Sequence, residues 1–111
     1  MMMPQDEDDC EELVKVIKIY CGPSCEVSAH PMHTDYFITN VWIEHADTEQ
    51  WHQEFYFDPD TARHSRSYTE WSRVPQNERY EEWDWIAPPY PVPAWVQKKF
   101  DLAYTAFCMA V

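Results

Sequence analysis

The chain has 111 residues, 20 acidic against 8 basic for a formal net charge of −12, and 16% of it is aromatic, with six Trp and seven Tyr. That length gives one domain able to bury a single core without disulfide staples. The aromatic content excludes an intrinsically disordered chain, and the acidic excess argues against proteins that grip phosphate backbones or anionic membranes, which display clustered Lys and Arg.

Residues 1–12 carry Asp6, Glu7, Asp8, Asp9, Glu11 and Glu12 with no basic residue. Such a like-charge run reads as a solvated, mobile lead, with the single domain beginning at residue 13 and running to 111. An acidic arm that docks on a basic partner is the functional alternative. Residues 13–21 (LVKVIKIYC) are rich in β-branched side chains and precede Gly22-Pro23-Ser24, which includes the only glycine. They read as a strand ending in a tight turn. Residues 26–30 can return as a shorter strand to close a first hairpin, and Pro31 ends it.

The chain is organised around residues 36–58, where two aromatic and β-branched runs flank the polar segment ADTEQ. This is the pattern of a two-stranded hairpin. Alternation puts Phe37, Val41 and Ile43 on one face of the first strand and Trp51, Phe55 and Phe57 on one face of the second. The opposite faces carry Ile38, Asn40, Trp42, Glu44, His52, Glu54, Tyr56 and Asp58, so carboxylates alternate there with large aromatics.

Asp58-Pro59-Asp60-Thr61 marks a helix start or a tight turn. Residues 61–67 lack apolar periodicity and read as an exposed connection holding the one local basic cluster, Arg63, His64 and Arg66. Residues 67–74 and 79–86 can pair as a third hairpin about Pro75-Gln76-Asn77-Glu78, with Trp71 facing Trp83 and Trp85. A short helix over 67–74 is the alternative, since Ser67 and Glu70 stand at capping-box spacing. Residues 88–93 (PPYPVP) form an extended polyproline-type connector; the P-x-x-P spacing also suits an SH3-type ligand, although a stiff linker uses the same residues. Beyond it Val96, Phe100, Ala103, Phe107 and Ala110 recur at helical spacing. The fold class expected is α+β: a twisted antiparallel sheet of four to six strands, built of hairpins and packed against one C-terminal helix.

Three constellations bear on chemistry. Cys21, Cys25, His30 and His33 place four potential zinc ligands within thirteen residues, off the common finger spacings. Zinc is the one cofactor the sequence raises, and two cysteines flanking a Gly-Pro turn with histidines in a loop is the plain alternative. No nucleophile elbow, phosphate loop or dinucleotide fingerprint is present, so no catalytic residues are expected; Cys108 lies beside the apolar stripe of the last helix and reads as core. The third constellation is acid interleaved with aromatics: Trp42, Glu44, Glu54, Tyr56 and Asp58 on the central hairpin, and Glu81, Glu82, Trp83, Asp84 and Trp85 further on. Carboxylates along strands can imitate phosphate spacing while Trp and Tyr supply anchors. The same residues would serve as the solvated face of a half-buried sheet.

In size, acidity and lack of a catalytic signature the chain resembles the small inhibitors that phages and plasmids encode against nucleic-acid-handling defence systems, anti-CRISPR proteins among them. The likeness is one of composition and covers no motif. It implies a stoichiometric inhibitor or nucleic-acid mimic whose partner is a basic protein, a nuclease or a CRISPR-type effector, with no direct contact to nucleic acid or membrane. Alternatives are a small zinc-binding interaction module and an immunity protein or antitoxin against a basic toxin. The acidic start lacks the features of a secretory signal, which points to a reducing cytoplasm where disulfides are incidental, although Cys21 and Cys25 are close enough in sequence to pair in an exported chain. No apolar run reaches the length that spans a bilayer.

Overall fold

The structure, a computed structural model, describes residues 6–31, 35–45, 49–73, 85–88 and 90–111. Helix α1 (Glu7–Cys21) leads into strand β1 (Cys25–Ala29), followed by β2 (Phe37–His45), β3 (Glu49–Asp58), β4 (Arg63–Arg66), β5 (Glu70–Arg73) and helix α2 (Ala94–Ala110). The strands form one antiparallel sheet in the order β1-β2-β3-β4, with β5 also on β3. The expected α+β class holds, with a second helix added at the N-terminal end.

That helix corrects the reading of residues 13–21 as a strand and of residues 7–12 as a mobile lead. Asp6 is the N-cap, its side chain accepting from the Asp9 N–H at 2.9 Å. Glu7, Asp8 and Asp9 occupy the first turn and Lys18 the last, each charge placed where the helix dipole favours it. The buried residues are Cys10, Leu13, Ile17 and Cys21, a period of 3.6. The β-branched surplus is not needed inside: Ile19 is 79% exposed. Strand propensity therefore loses to capping and to the face that α2 and β1 require.

At the end of α1, Gly22 takes φ 103° and its N–H reaches the Lys18 carbonyl at 2.9 Å. Lys99 from α2 donates to the Cys21 carbonyl at 3.0 Å, close enough that a Cβ on Gly22 would sit 3.0 Å from its Nζ. The chain turns here into β1, which pairs with β2, not with residues 13–21 as the first-hairpin reading had it.

The central hairpin forms as the alternation predicts. Phe37 pairs with Phe57 and Ile43 with Trp51, so both apolar sets share the inner face. After a turn closed by the Asp58 carboxylate on the Asp60 N–H (2.9 Å), residues 63–66 return as β4 along β3. This corrects their reading as a connection. An edge strand needs little apolar content: His64 faces inward against Phe57 and Phe107, and Arg66 lies on the same side. Residues 70–73 are strand, not helix, and pair with the first half of β3. Trp71 and Ile86 exchange backbone bonds of 2.6 and 3.0 Å, while the proposed hairpin turn and the rest of 74–84 lie outside the described residues. Between β4 and β5 one backbone bond remains, the Ser67 N–H on the Glu54 carbonyl at 2.9 Å, and side chains supply the rest: Gln53 donates to Thr69 at 2.8 Å and the Glu54 N–H to Ser67 Oγ at 2.9 Å.

Both helices cover the inner face. Val96, Phe100, Ala103, Ala106 and Phe107 of α2 are buried, and Phe107 lies 5.5 Å from Phe55 and 6.4 Å from Phe37 between ring centroids. Arg66 joins β4 to α2 through Asp101 at 2.6 Å, and its guanidinium lies 4.8 Å from the Tyr104 ring centroid. The Arg66 hydrogen bond holds the Asp101 carboxyl below its ordinary range. Pro93, with φ −56° and ψ 141°, keeps polyproline geometry up to the first turn of α2. Among the described residues no helix is long and apolar enough to cross a membrane.

Candidate partner-binding face

Helices α1 and α2 lie on one side of the sheet, and among the described residues no helix covers the other. Strand alternation decides which residues reach that outer face. Register places Glu26 beside Trp42 and Ser28 beside Asn40, then Trp42 beside His52 and Asn40 beside Glu54, with Glu70 of β5 next to His52. Asp58 and Arg63 pair at the far end.

At the centre stands a cluster of three rings. The Trp42 and His52 centroids are 5.3 Å apart and nearly parallel, and Trp85 covers the histidine from elsewhere in the chain at 5.2 Å. His52 is buried, and its Nε2 lies 2.9 Å from Asn40 Oδ1. An amide oxygen only accepts, so Nε2 carries the proton and Nδ1 is left as an acceptor without a hydrogen-bond partner. Burial lowers the pKa of His52, against the opposing pull of Glu54 and Glu70. Tyr56 donates to Glu54 at 3.0 Å, and burial reinforced by that bond pushes its phenol up to about 12. Gln50 donates to Glu44 at 3.2 Å. At neutral pH the face thus presents a neutral His52 and a neutral Tyr56.

A pH dependence follows from the histidine. Its folded pKa lies below the ordinary 6.5, so the unfolded chain takes up the proton first as pH falls. The stability that neutral His52 contributes is complete above 6.5 and is lost as pH drops through the lower, folded value. Urea titrations from pH 7 downward should show the decline for wild type and a shallower one for His52→Gln; identical slopes in the two proteins would refute the assignment.

The sequence places Trp42, Glu44, Glu54, Tyr56 and Asp58 on this face, and the structure puts all five there. Glu81, Glu82, Trp83 and Asp84 lie outside the described residues. Trp85, assigned from sequence to a separate strip, sits on the central hairpin instead. Glu26 and Glu70 escaped the sequence reading, because it paired residues 26–30 with 13–21 and left residues 67–74 between strand and helix. Carboxylates around the two indoles that flank His52 offer cationic side chains both ion pairing and a π face.

The zinc reading meets a different arrangement. Cys21 and Cys25 are joined as a disulfide across the Gly-Pro-Ser turn, with Cα atoms 6.1 Å apart, so neither sulfur is a thiolate donor in this state. This also departs from the reduced cysteines expected of the sequence. His30 is exposed just beyond β1, and His33 lies outside the described residues. Among the described residues no group of three or more His, Cys, Asp or Glu is placed to hold a metal ion. Cys10 and Cys108 are free thiols, Cys10 buried with its pKa raised by that burial and by Glu7, Asp9 and Asp6. Comparison of the whole chain with protein families, with curated proteins and with solved structures finds no match, so the reading of this face rests on its own geometry and charge.

Proposed function

We propose that the chain is a binding protein that uses the outer sheet face to occupy a basic surface on a nucleic-acid-handling protein, acting as a stoichiometric inhibitor or nucleic-acid mimic of the phage anti-defence kind in the host cytoplasm. The observation that carries this reading is the aromatic cluster of Trp42, His52 and Trp85 flanked by Glu26, Glu44, Glu54 and Glu70, with Asp58 further along β3, on the side of the sheet that neither α1 nor α2 covers. Indoles are common interface anchors. A surrounding acidic field favours encounter with a basic groove and repels nucleic acid itself.

The test is competition. A panel of purified nucleases and CRISPR-type effector complexes is loaded with fluorescently labelled duplex, and displacement by the chain is followed by anisotropy at low and high salt. Displacement from one member should weaken as salt rises. It should also fall on the order of a hundredfold in Glu44→Lys/Glu54→Lys/Asp58→Lys, taking about 1 kcal/mol per reversed charge. Displacement indifferent to salt and to the triple change, or absent across the panel, overturns the reading.

A further inference from the structure

The acidic face is not the only surface built to meet another chain. Among the described residues β1 is an outer strand of the sheet, paired on one side only, with β2. Natural edges are blunted with charges, Pro, a bulge or a short strand; Cys25–Ala29 (CEVSA) is five residues long and carries one charge, Glu26, but it has no Pro and pairs without interruption. The Glu44 N–H donates to the Ser24 carbonyl at 3.2 Å, which sets the phase of the antiparallel ladder. Glu26 and Ser28 therefore turn their backbone groups toward β2. Val27 and Ala29 turn theirs away, toward the open edge.

Beside that edge runs a groove of about 370 Å³ between α1 and β1, lined by Glu7, Glu11, Val14, Lys15 and Lys18 on the helix and by residues 27–29 on the strand. The helix side is acidic in its first half and basic in its second, with Val14 near the middle. A polarised wall of this kind is complementary to itself when turned end for end.

We propose that the chain forms a two-fold symmetric dimer through β1, the sheet running on from one protomer into the next. An axis at Ser28 sets Val27 against Ala29 of the partner subunit, and both residues point their N–H and C=O groups at the shared edge, so each pair exchanges two bonds. Pro31 has no N–H and ends the new ladder on one side; the Cys25 N–H is already engaged by the Gly22 carbonyl at 3.2 Å on the other. On the outer face the same axis brings Glu26 opposite His30 of the partner subunit. Along the groove it brings the Glu7 and Glu11 half of one helix toward Lys15 and Lys18 of the partner subunit, and the half-buried Val14 and Val27 lie at the centre of the contact.

Sedimentation equilibrium over a concentration series tests this. Wild type should move from the mass of one chain to twice that mass. Val27→Pro removes an N–H that points to the free edge and no bond of the β1–β2 ladder, so it should stay monomeric with an unchanged far-UV spectrum. Should that variant fail to fold, Lys15→Glu/Lys18→Glu decides on exposed helix positions: dimerisation should weaken by about tenfold or more, and adding Glu7→Lys/Glu11→Lys should restore it by reversing both halves together. The proposal is overturned by a wild type that remains monomeric throughout, including one whose edge accepts only a foreign strand, or by a dimer that persists unweakened in both variants.

Discussion

Phe107→Ala should lower the free energy of unfolding by about 3–5 kcal/mol, the range for emptying an aromatic site in a packed core. The side chain is fully buried, and its ring touches both halves of the molecule: Phe37 and Phe55 from the sheet, Tyr104 from its own helix and His64 from β4. A domain of this kind has about 5–15 kcal/mol in total. The variant therefore keeps only part of its stability or fails to fold at room temperature. His64 also reaches the Val111 backbone oxygen at 2.9 Å, so the loss includes loosening of the last turn of α2. Met109→Ala, on the same helix but 66% exposed, should change stability by no more than about 0.5 kcal/mol. Urea unfolding of the two variants measures both effects, and a loss below about 1 kcal/mol for Phe107→Ala would mean that α2 is not seated on the sheet in this way.

Opening the Cys21–Cys25 disulfide should cost about 2 kcal/mol, because cross-linking residues four apart removes a modest amount of loop entropy from the unfolded chain. The bond ties the end of α1 to the start of β1 at the point where Lys99 caps the helix, so its loss should be felt in the packing of α1 on α2. Both cysteines are buried, which shields the bond from thiol reductants in the folded protein. Reductant reaches it on unfolding, so at equilibrium in urea wild type without reductant should show a higher midpoint than with it. Cys21→Ser/Cys25→Ser should be indifferent to reductant and match the lower midpoint. If wild type is also indifferent, the native cysteines are thiols, and they return to the set of candidate metal ligands.

Much of the sheet was legible from residue order, and the reasons are local. In residues 36–58 apolar and polar side chains alternate with period two, and a shift of one residue would turn Trp51, Phe55 and Phe57 to the outer face, so pairing had a single economical solution. The stripe from Val96 to Phe107 is equally local, and it forms the buried side of α2. Residues 13–21 misled because Val14, Val16, Ile17 and Ile19 favour strands one by one. What made them helical was the cap at Asp6 and the partners waiting for Cys10, Leu13 and Ile17 on α2 and β1. Buried Thr39 and Gln53 on the inner face could not be foreseen either, since their burial comes from register and from Thr69 across the break between β4 and β5.

The candidate face divides in the same way. Sequence by itself determined that Trp42, Glu44, Glu54, Tyr56 and Asp58 share one side of a hairpin, because strand geometry sends alternate side chains to opposite faces whatever the rest of the chain does. Only the tertiary structure decided that α1 and α2 both cover the other side, that Trp85 returns to close over His52, that Glu26 and Glu70 join the acidic residues of the face, and that β1 is the end strand among the described residues. Those outcomes depend on pairing between segments distant along the chain. Such pairing is set by how the whole apolar surface is buried at once, and no local pattern of residues contains it.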